Sequence, residues 1–72
     1  MTYYNCMELG KLIRELRKEQ NLTQEQLAHL LKTTQDTISL WELNKSLPDV
    51  LSLVELAKIF NVSTDYLLNL ES

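Results

Sequence analysis

The chain has 72 residues, of which 44% are hydrophobic, and this is the size and composition of one small globular domain, residues 1–72, rather than of a disordered chain. Its net charge of −3 lies after Ser46, because the six basic and six acidic residues up to that point balance. A net negative charge weakens non-specific binding to a polyanion, so we expect such binding to be weak but not absent. The single cysteine, Cys6, excludes an internal disulfide, and the absence of a long apolar run or a signal-peptide pattern favours a cytoplasmic protein.

The first predicted helix begins near Cys6, after an Asn-x-x-Glu capping box formed by Asn5 and Glu8. Its inward side shows the i, i+3, i+4, i+7 spacing of an amphipathic helix at Leu9, Leu12, Ile13 and Leu16. Asn21 is expected to end the helix in the left-handed conformation. The chain contains one glycine and one proline, which favours helices throughout and an all-α fold.

The second and third predicted helices are separated by a short turn, Lys32 to Thr34. Thr23 and Gln26 form a second capping box, and Thr34 is placed to cap the third helix. At about 100° per residue, the inward side of the third helix carries Ile38, Trp41 and Glu42. Its outward side carries amide, carboxylate, hydroxyl and aliphatic groups, on Gln35, Asp36, Ser39 and Leu40. Such a face on a short helix, braced by a helix that crosses behind it, is what reading DNA base edges requires.

The remaining sequence predicts two further helices. Asn44 is expected to close the third helix with a positive φ, and Pro48 prevents the helix from continuing. Asp49 is placed to cap the fourth helix, whose predicted inward residues are Val50, Leu53, Leu56, Ala57 and Phe60. Asn61 is expected to end it. Ser63 then caps a short fifth helix that contains Tyr66, Leu67 and Leu68.

Several fragments in this order and spacing resemble the phage Cro/repressor-type (XRE, lambda-repressor-like) helix-turn-helix family. They are Ile13–Arg17, Leu22–Ala28, Thr34–Glu42, Pro48, Leu53–Ala57 and Val62–Leu68. The resemblance implies a five-helix lambda-repressor-like DNA-binding domain, all-α, with the helix-turn-helix at helices 2 and 3. It also implies that helix 3 enters the major groove of double-stranded DNA.

The resemblance assigns roles to individual residues. Base readout would fall to Gln35, Asp36, Ser39 and Leu40. Contacts to the DNA backbone would come from Gln24, Lys32, Thr34, Thr37 and Lys45. Arg17 and Glu42 would form a structural ion pair that holds helix 1 against helix 3. The sequence departs from the family at Lys32, which stands where a glycine is usual and would have to be left-handed, and at Leu43-Asn44, which replaces Asn-Gly.

The functional expectation is a stand-alone transcriptional regulator, a repressor, that binds a palindromic operator as a homodimer with half-sites about 34 Å apart. The expected dimerisation surface is helix 5 and its surroundings, namely Val62, Tyr66, Leu67 and Leu70, with Leu51 beside them. One alternative is an antitoxin or restriction–modification controller. The other is a protein-interaction module that keeps the fold without DNA binding, suggested by the acidic charge and by Asp36, Leu30 and Leu40. No cofactor, metal or enzymatic activity is expected, because no nucleophile–base pair or phosphate-binding glycine loop is found.

Overall fold

The computed structural model describes residues 6–68, and the side chains of 9–68 within them. These residues form five α-helices: α1 (Cys6–Glu19), α2 (Gln24–Leu31), α3 (Gln35–Glu42), α4 (Val50–Phe60) and α5 (Thr64–Leu67). The predicted all-α, five-helix fold is confirmed. The predicted Asn5–Glu8 capping box and Leu70 lie outside the described side chains. Within residues 6–68, no helix has the length and apolar character needed to cross a membrane.

Helices α2 to α5 begin where the sequence predicts, because each is preceded by a side chain that accepts a hydrogen bond from a backbone N–H three residues later. These N-caps are Thr23, Thr34, Asp49 and Ser63. At the first of them the capping box is reciprocal, since the Gln26 N–H donates to Thr23 Oγ1 at 3.0 Å and the Thr23 N–H donates to Gln26 Oε1 at 2.8 Å. At Asp49, the N–H of Ser52 holds the pKa of the carboxyl below its usual value.

The turns between helices contain residues with positive φ that end the preceding element. Among the described residues these are Asn21, Lys32, Asn44 and Asn61, with φ between 58° and 61°. The left-handed conformation is costly for a side chain that bears a Cβ, and asparagine tolerates it best. The four positions are those that the sequence predicts, including Lys32 in the turn between α2 and α3.

The core lies between α1, α3 and the flanking helices α2, α4 and α5. It contains the buried apolar side chains Leu9, Ile13, Leu16, Leu27, Ala28, Ile38, Trp41, Leu56, Ala57, Phe60 and Leu67. Gln20 Nε2 donates to the Ile59 carbonyl at 2.9 Å and so ties the residue after α1 to the end of α4. The predicted core position of Trp41 is confirmed.

Two predicted positions are wrong. Val50 is predicted to face inward, but it is 76% exposed, and the buried side chains of α4 begin only at Leu56, beyond the first turn of the helix. Leu67 was expected on a dimerisation surface, but it is 1% exposed and belongs to the core. A four-residue α5 packs its one buried side chain inward, so Leu67 is not available to a partner, whereas Tyr66 remains exposed.

Candidate nucleic-acid interface

Helix α3 has one buried and one open side. Ile38 and Trp41 are buried in the core, and Gln35, Asp36 and Leu40 are exposed while Ser39 is half-buried. The outward arrangement expected for base readout is therefore present as a surface. It carries one amide, one carboxylate, one hydroxyl and one branched aliphatic group, which together offer donors, acceptors and an apolar contact.

The Arg17–Glu42 ion pair holds the end of α3 against α1. Arg17 Nε lies 2.7 Å from Glu42 Oε2, and the two side chains are 10% and 4% exposed. A second guanidinium nitrogen, Nη2, donates to Glu42 Oε1 at 3.3 Å, so the contact is bidentate. The third, Nη1, donates to the Leu22 carbonyl at 2.8 Å. One arginine of α1 thus holds both the end of α3 and the loop that leads into α2.

Gln24 and Gln35 extend this network towards the surface. The Gln24 Nε2 donates to Glu42 Oε1 at 3.0 Å, and the Gln35 Nε2 donates to Gln24 Oε1 at 3.4 Å. The first residue of α2 and the first residue of α3 are therefore linked through side chains. A chain of hydrogen bonds runs from the buried guanidinium of Arg17 to the exposed amide of Gln35.

The remaining residues expected to contact the DNA backbone surround the exposed side of α3. The hydroxyl of Thr34 accepts the Thr37 N–H at 3.2 Å and lies 2.9 Å from the Thr37 hydroxyl. Lys32 is exposed in the turn before α3, and Lys45 is exposed in the loop after it. The N–H of Lys45 donates to the Leu40 carbonyl at 2.9 Å, which folds this loop back against the end of α3. Two cationic side chains thus flank the helix.

Gly10 and the side chain of Asn44 are positioning residues that the sequence analysis missed. The Gly10 N–H donates to Asn44 Oδ1 at 3.2 Å. A Cβ at position 10 would lie 2.6 Å from that oxygen, 2.6 Å from the Trp41 carbonyl oxygen and 2.8 Å from that of Glu42. The signal was available, because a lone glycine inside an amphipathic helix often marks a close approach of backbone.

The described residues hold no group of three or more His, Cys, Asp or Glu side chains that could bind a metal ion. His29 is exposed on α2, beside Leu22, Glu25, Gln26 and Leu30, with which it lines a shallow groove. The groove lies on α2 rather than on the exposed side of α3.

Comparison with known proteins identifies the family. The helix-turn-helix family model matches residues 13–67, and the chain belongs to this family. The chain is 43% identical over 63 residues to the transcriptional activator BcrR of Enterococcus faecalis, covering 88% of this chain and 31% of BcrR. It is 39% identical over 62 residues to the transcriptional regulator ImmR of Bacillus subtilis, and the match covers 86% of this chain and 49% of ImmR. The chain thus spans less than half the length of each of these relatives.

Solved structures share the fold. The P22 c2 repressor, in a crystal structure with synthetic operator 9T, superimposes with a TM-score of 0.82 at 32% identity, over 88% of this chain and 96% of the repressor chain. The restriction–modification controller C.AhdI from Aeromonas hydrophila has the same fold, with a TM-score of 0.77 at 24% identity over 86% and 90% of the two chains. The predicted resemblance to the lambda-repressor-like helix-turn-helix family is confirmed.

Proposed function

We propose that this chain is a transcription regulator that binds double-stranded DNA and places α3 in the major groove. The observation that carries the proposal is the division of α3 into two sides: Ile38 and Trp41 are buried, while Gln35, Asp36 and Leu40 are exposed. The family, the regulator names of its relatives and the operator-bound P22 c2 repressor among similar folds support the same function.

The exposed groups of α3 suit particular base edges. A glutamine amide pairs with adenine through two hydrogen bonds, a carboxylate accepts from cytosine N4, and an aliphatic side chain packs on a thymine methyl. We assign these roles to Gln35, Asp36 and Leu40, with Ser39 as an additional hydrogen-bonding group. The Asp36 carboxylate also repels phosphate, which weakens binding to every sequence, and a base donor such as cytosine N4 opposite it would offset this cost.

The residues around α3 would contact the DNA backbone. Gln24 begins α2, where the free N–H groups and the helix dipole favour an anion, and Thr34, Thr37, Lys32 and Lys45 lie at either end of α3. Such contacts position a protein on the duplex without reading sequence. Glu42 shares its carboxylate with Arg17 and Gln24, so it orients the Gln24 amide.

One helix-turn-helix reads few base pairs, so we propose that the protein acts as a homodimer on a palindromic operator, with half-sites about 34 Å apart. We further propose that it represses transcription by occupying the operator, and that it does so in the cytoplasm.

The test is selection of bound duplexes from a random double-stranded pool at about 50 mM salt and again near physiological salt, since low salt strengthens phosphate contacts. The wild-type chain should enrich one palindrome. The variant Gln35→Ala/Ser39→Ala should lose at least about tenfold of that preference, given about 1–3 kcal/mol for each good base contact. Its helix content and melting temperature should stay close to those of the wild type.

The matched control is Glu15→Ala/Lys18→Ala, which truncates two exposed side chains of α1 and leaves the net charge unchanged. This variant should recover the wild-type sequence. Unchanged preference in the Gln35→Ala/Ser39→Ala variant would show that α3 does not read the bases.

The second candidate function is a protein-interaction module, favoured by the 52% exposure of Leu30 on α2 and by the shallow groove beside it. The same selection separates the two functions. Failure to enrich any duplex at either salt concentration favours the module, and Leu30→Glu should then abolish its partner's binding.

A further inference from the structure

Two exposed side chains of α3, Asp36 and Leu40, differ in chemistry but are neighbours on the helix surface. They stand one turn apart, at i and i+4, so about 40° of rotation around the helix axis separates them. Long side chains of a helix lean towards its N-terminus and cover the turn before their own Cα. We therefore expect the Leu40 side chain to lean towards Asp36, so that a carboxylate and a branched aliphatic group lie side by side.

The exposed side of α3 becomes apolar towards its C-terminal end. Leu40 is 41% exposed, and Leu43, the C-cap, is 61% exposed with its backbone still in the right-handed helical region. A polar base edge that is covered by leucine loses water without gaining a hydrogen bond, which is unfavourable. The apolar group that a base presents in the major groove is a methyl on C5 of a pyrimidine. This end of α3 therefore suits a 5-methylpyrimidine.

The carboxylate of Asp36 selects among the bases by its need for a donor, because an ionised carboxylate only accepts hydrogen bonds. In the major groove the donors are the N4 amine of cytosine and the N6 amine of adenine. Adenine also presents the N7 acceptor beside its amine, which would face the carboxylate and repel it. Guanine and thymine present acceptors there. Asp36 is therefore best matched by a cytosine.

One base edge satisfies both side chains at once. Cytosine has the amine but carries hydrogen on C5, and thymine has the methyl group but an acceptor oxygen beside it. 5-Methylcytosine carries the amine on C4 and a methyl group on the neighbouring C5. Its edge therefore offers the donor that Asp36 needs and the apolar contact that Leu40 needs, on adjacent ring atoms.

We propose that Asp36 and Leu40 together recognise 5-methylcytosine, so that methylation of a cytosine in the operator strengthens DNA binding by this chain. The inference rests on the proposed function and names the base that the same site prefers. In unmethylated DNA the two side chains need a cytosine and a separate thymine, whereas 5-methylcytosine supplies both contacts. The chain then responds to the methylation state of its operator as well as to its sequence.

The experiment selects bound duplexes from two random double-stranded pools, one made with cytosine and one with 5-methylcytosine in its place. The enriched site is then synthesised with cytosine, 5-methylcytosine or thymine, correctly paired, at each of its cytosine positions in turn. At one position the wild-type chain should bind the 5-methylcytosine duplex about fourfold more tightly than the cytosine duplex, as burial of one methyl group predicts. It should bind the thymine duplex more weakly than the 5-methylcytosine duplex, because O4 faces the carboxylate.

Two alanine variants separate the two contacts. Leu40→Ala should bind the cytosine and 5-methylcytosine duplexes equally. Asp36→Ala should keep the gain from the methyl group but lose the preference for 5-methylcytosine over thymine. Leu30→Ala is the matched control, because it truncates an exposed leucine of α2, and it should behave as the wild type in both comparisons. All three changes place alanine, the best helix former, at exposed helical positions, and circular dichroism should show wild-type helix content.

Failure of this inference differs from failure of the proposed function. If neither pool enriches a duplex, the proposed function fails and the inference fails with it. If a site is enriched but contains no cytosine, or binds equally well or less well with 5-methylcytosine, regulation by DNA binding stands and the inference is overturned. A methylation gain that persists in Leu40→Ala also overturns it. So does a loss on replacing a thymine of the site by uracil without any effect of 5-methylcytosine, since Leu40 then contacts a neighbouring thymine.

Discussion

Gly10 is the residue at which the backbone of α1 comes closest to the end of α3. Glycine normally weakens a helix interior by about 1 kcal/mol relative to alanine, so at an open position its replacement by alanine should stabilise the protein. Here a Cβ would lie within 2.8 Å of two carbonyl oxygens, those of Trp41 and Glu42. Backbone atoms at a packed contact cannot move aside as the end of a flexible side chain can. The close approach therefore outweighs the helix propensity.

Gly10→Ala should destabilise the protein by about 1–3 kcal/mol, as overpacking of a tight contact does, instead of stabilising it. Urea unfolding monitored by circular dichroism measures the change. Lys11→Ala is the matched control, because Lys11 is the exposed neighbour in the same helix, and it should change the unfolding free energy by less than about 0.5 kcal/mol. A more stable Gly10→Ala protein would show that α1 and α3 are not in this contact.

At the scale of the elements, α1 holds α3 at two points. Gly10 contacts the loop after α3 through Asn44, and Arg17, seven residues further along α1, binds Glu42 at the end of α3. Seven residues of helix span about 10.5 Å along α1, so two separate points of α1 hold the C-terminal end of α3 and restrict its rotation. The orientation of the exposed side of α3 depends on both.

Arg17→Ala should lower the unfolding free energy by about 3 kcal/mol, because it leaves the carboxylate of Glu42 buried without its partner. Arg14→Ala, at an exposed position of the same helix, is the control and should be nearly neutral. The double variant Arg17→Met/Glu42→Leu removes both charges and should recover much of the loss. It should nevertheless bind the selected duplex with less sequence preference, because Gln24 has lost its acceptor.

Urea unfolding of Arg17→Ala, Arg14→Ala and Arg17→Met/Glu42→Leu measures the changes in unfolding free energy. Selection from the random pool measures the sequence preference of the double variant. An Arg17→Ala protein as stable as the wild type would mean that water reaches the pair. A double variant with full sequence preference would mean that Glu42 does not position Gln24 for DNA.

The helices and turns also show which features of this structure can be predicted from the sequence. The caps at Thr23 and Thr34 and the left-handed Asn44 are predicted because each depends on hydrogen bonds within a few residues of chain. The left-handed Lys32 is expected from the family resemblance instead, since Lys32 stands where a glycine is usual. The Gly10–Asn44 contact, 34 residues apart in sequence, depends on how two helices pack, and no local pattern specifies that distance. The exposure of Val50 was mispredicted for the same reason: a periodic pattern gives the face of a helix, not where the covering elements end.

The candidate site likewise has features that the sequence predicts and features that it does not. The exposed side of α3 follows from its 3.6-residue period, and the Arg17–Glu42 pair was expected from the family resemblance and is present at 2.7 Å. The bridge from Glu42 through Gln24 to Gln35 was not predicted, because it joins residues of different helices by side chains. Sequence alone therefore located the surface but not the network behind it.

For the whole molecule, the distribution of charge matters more than its sum. The net charge is −3, but the excess lies after Ser46, so the part of the chain that carries the proposed DNA contacts is neutral overall. Each phosphate contact by a lysine contributes about one unit to the slope of log affinity against log salt concentration. A neutral binding region with two flanking lysines, Lys32 and Lys45, should therefore give a shallow slope.

Lys45→Ala should reduce this slope by roughly one unit and weaken binding to all sequences about equally, because a phosphate contact carries no sequence information. Titrations of the selected palindrome and of an unrelated duplex at several salt concentrations measure both effects. Lys58→Ala removes the same charge from α4, where the Lys58 Nζ lies 3.9 Å from Glu55 Oε1 in an exposed pair, and should leave the slope unchanged. Equal salt slopes for the wild type and Lys45→Ala would place Lys45 away from the phosphates. Equal losses of affinity in Lys45→Ala and Lys58→Ala would mean that net charge, rather than a contact at the end of α3, sets the affinity.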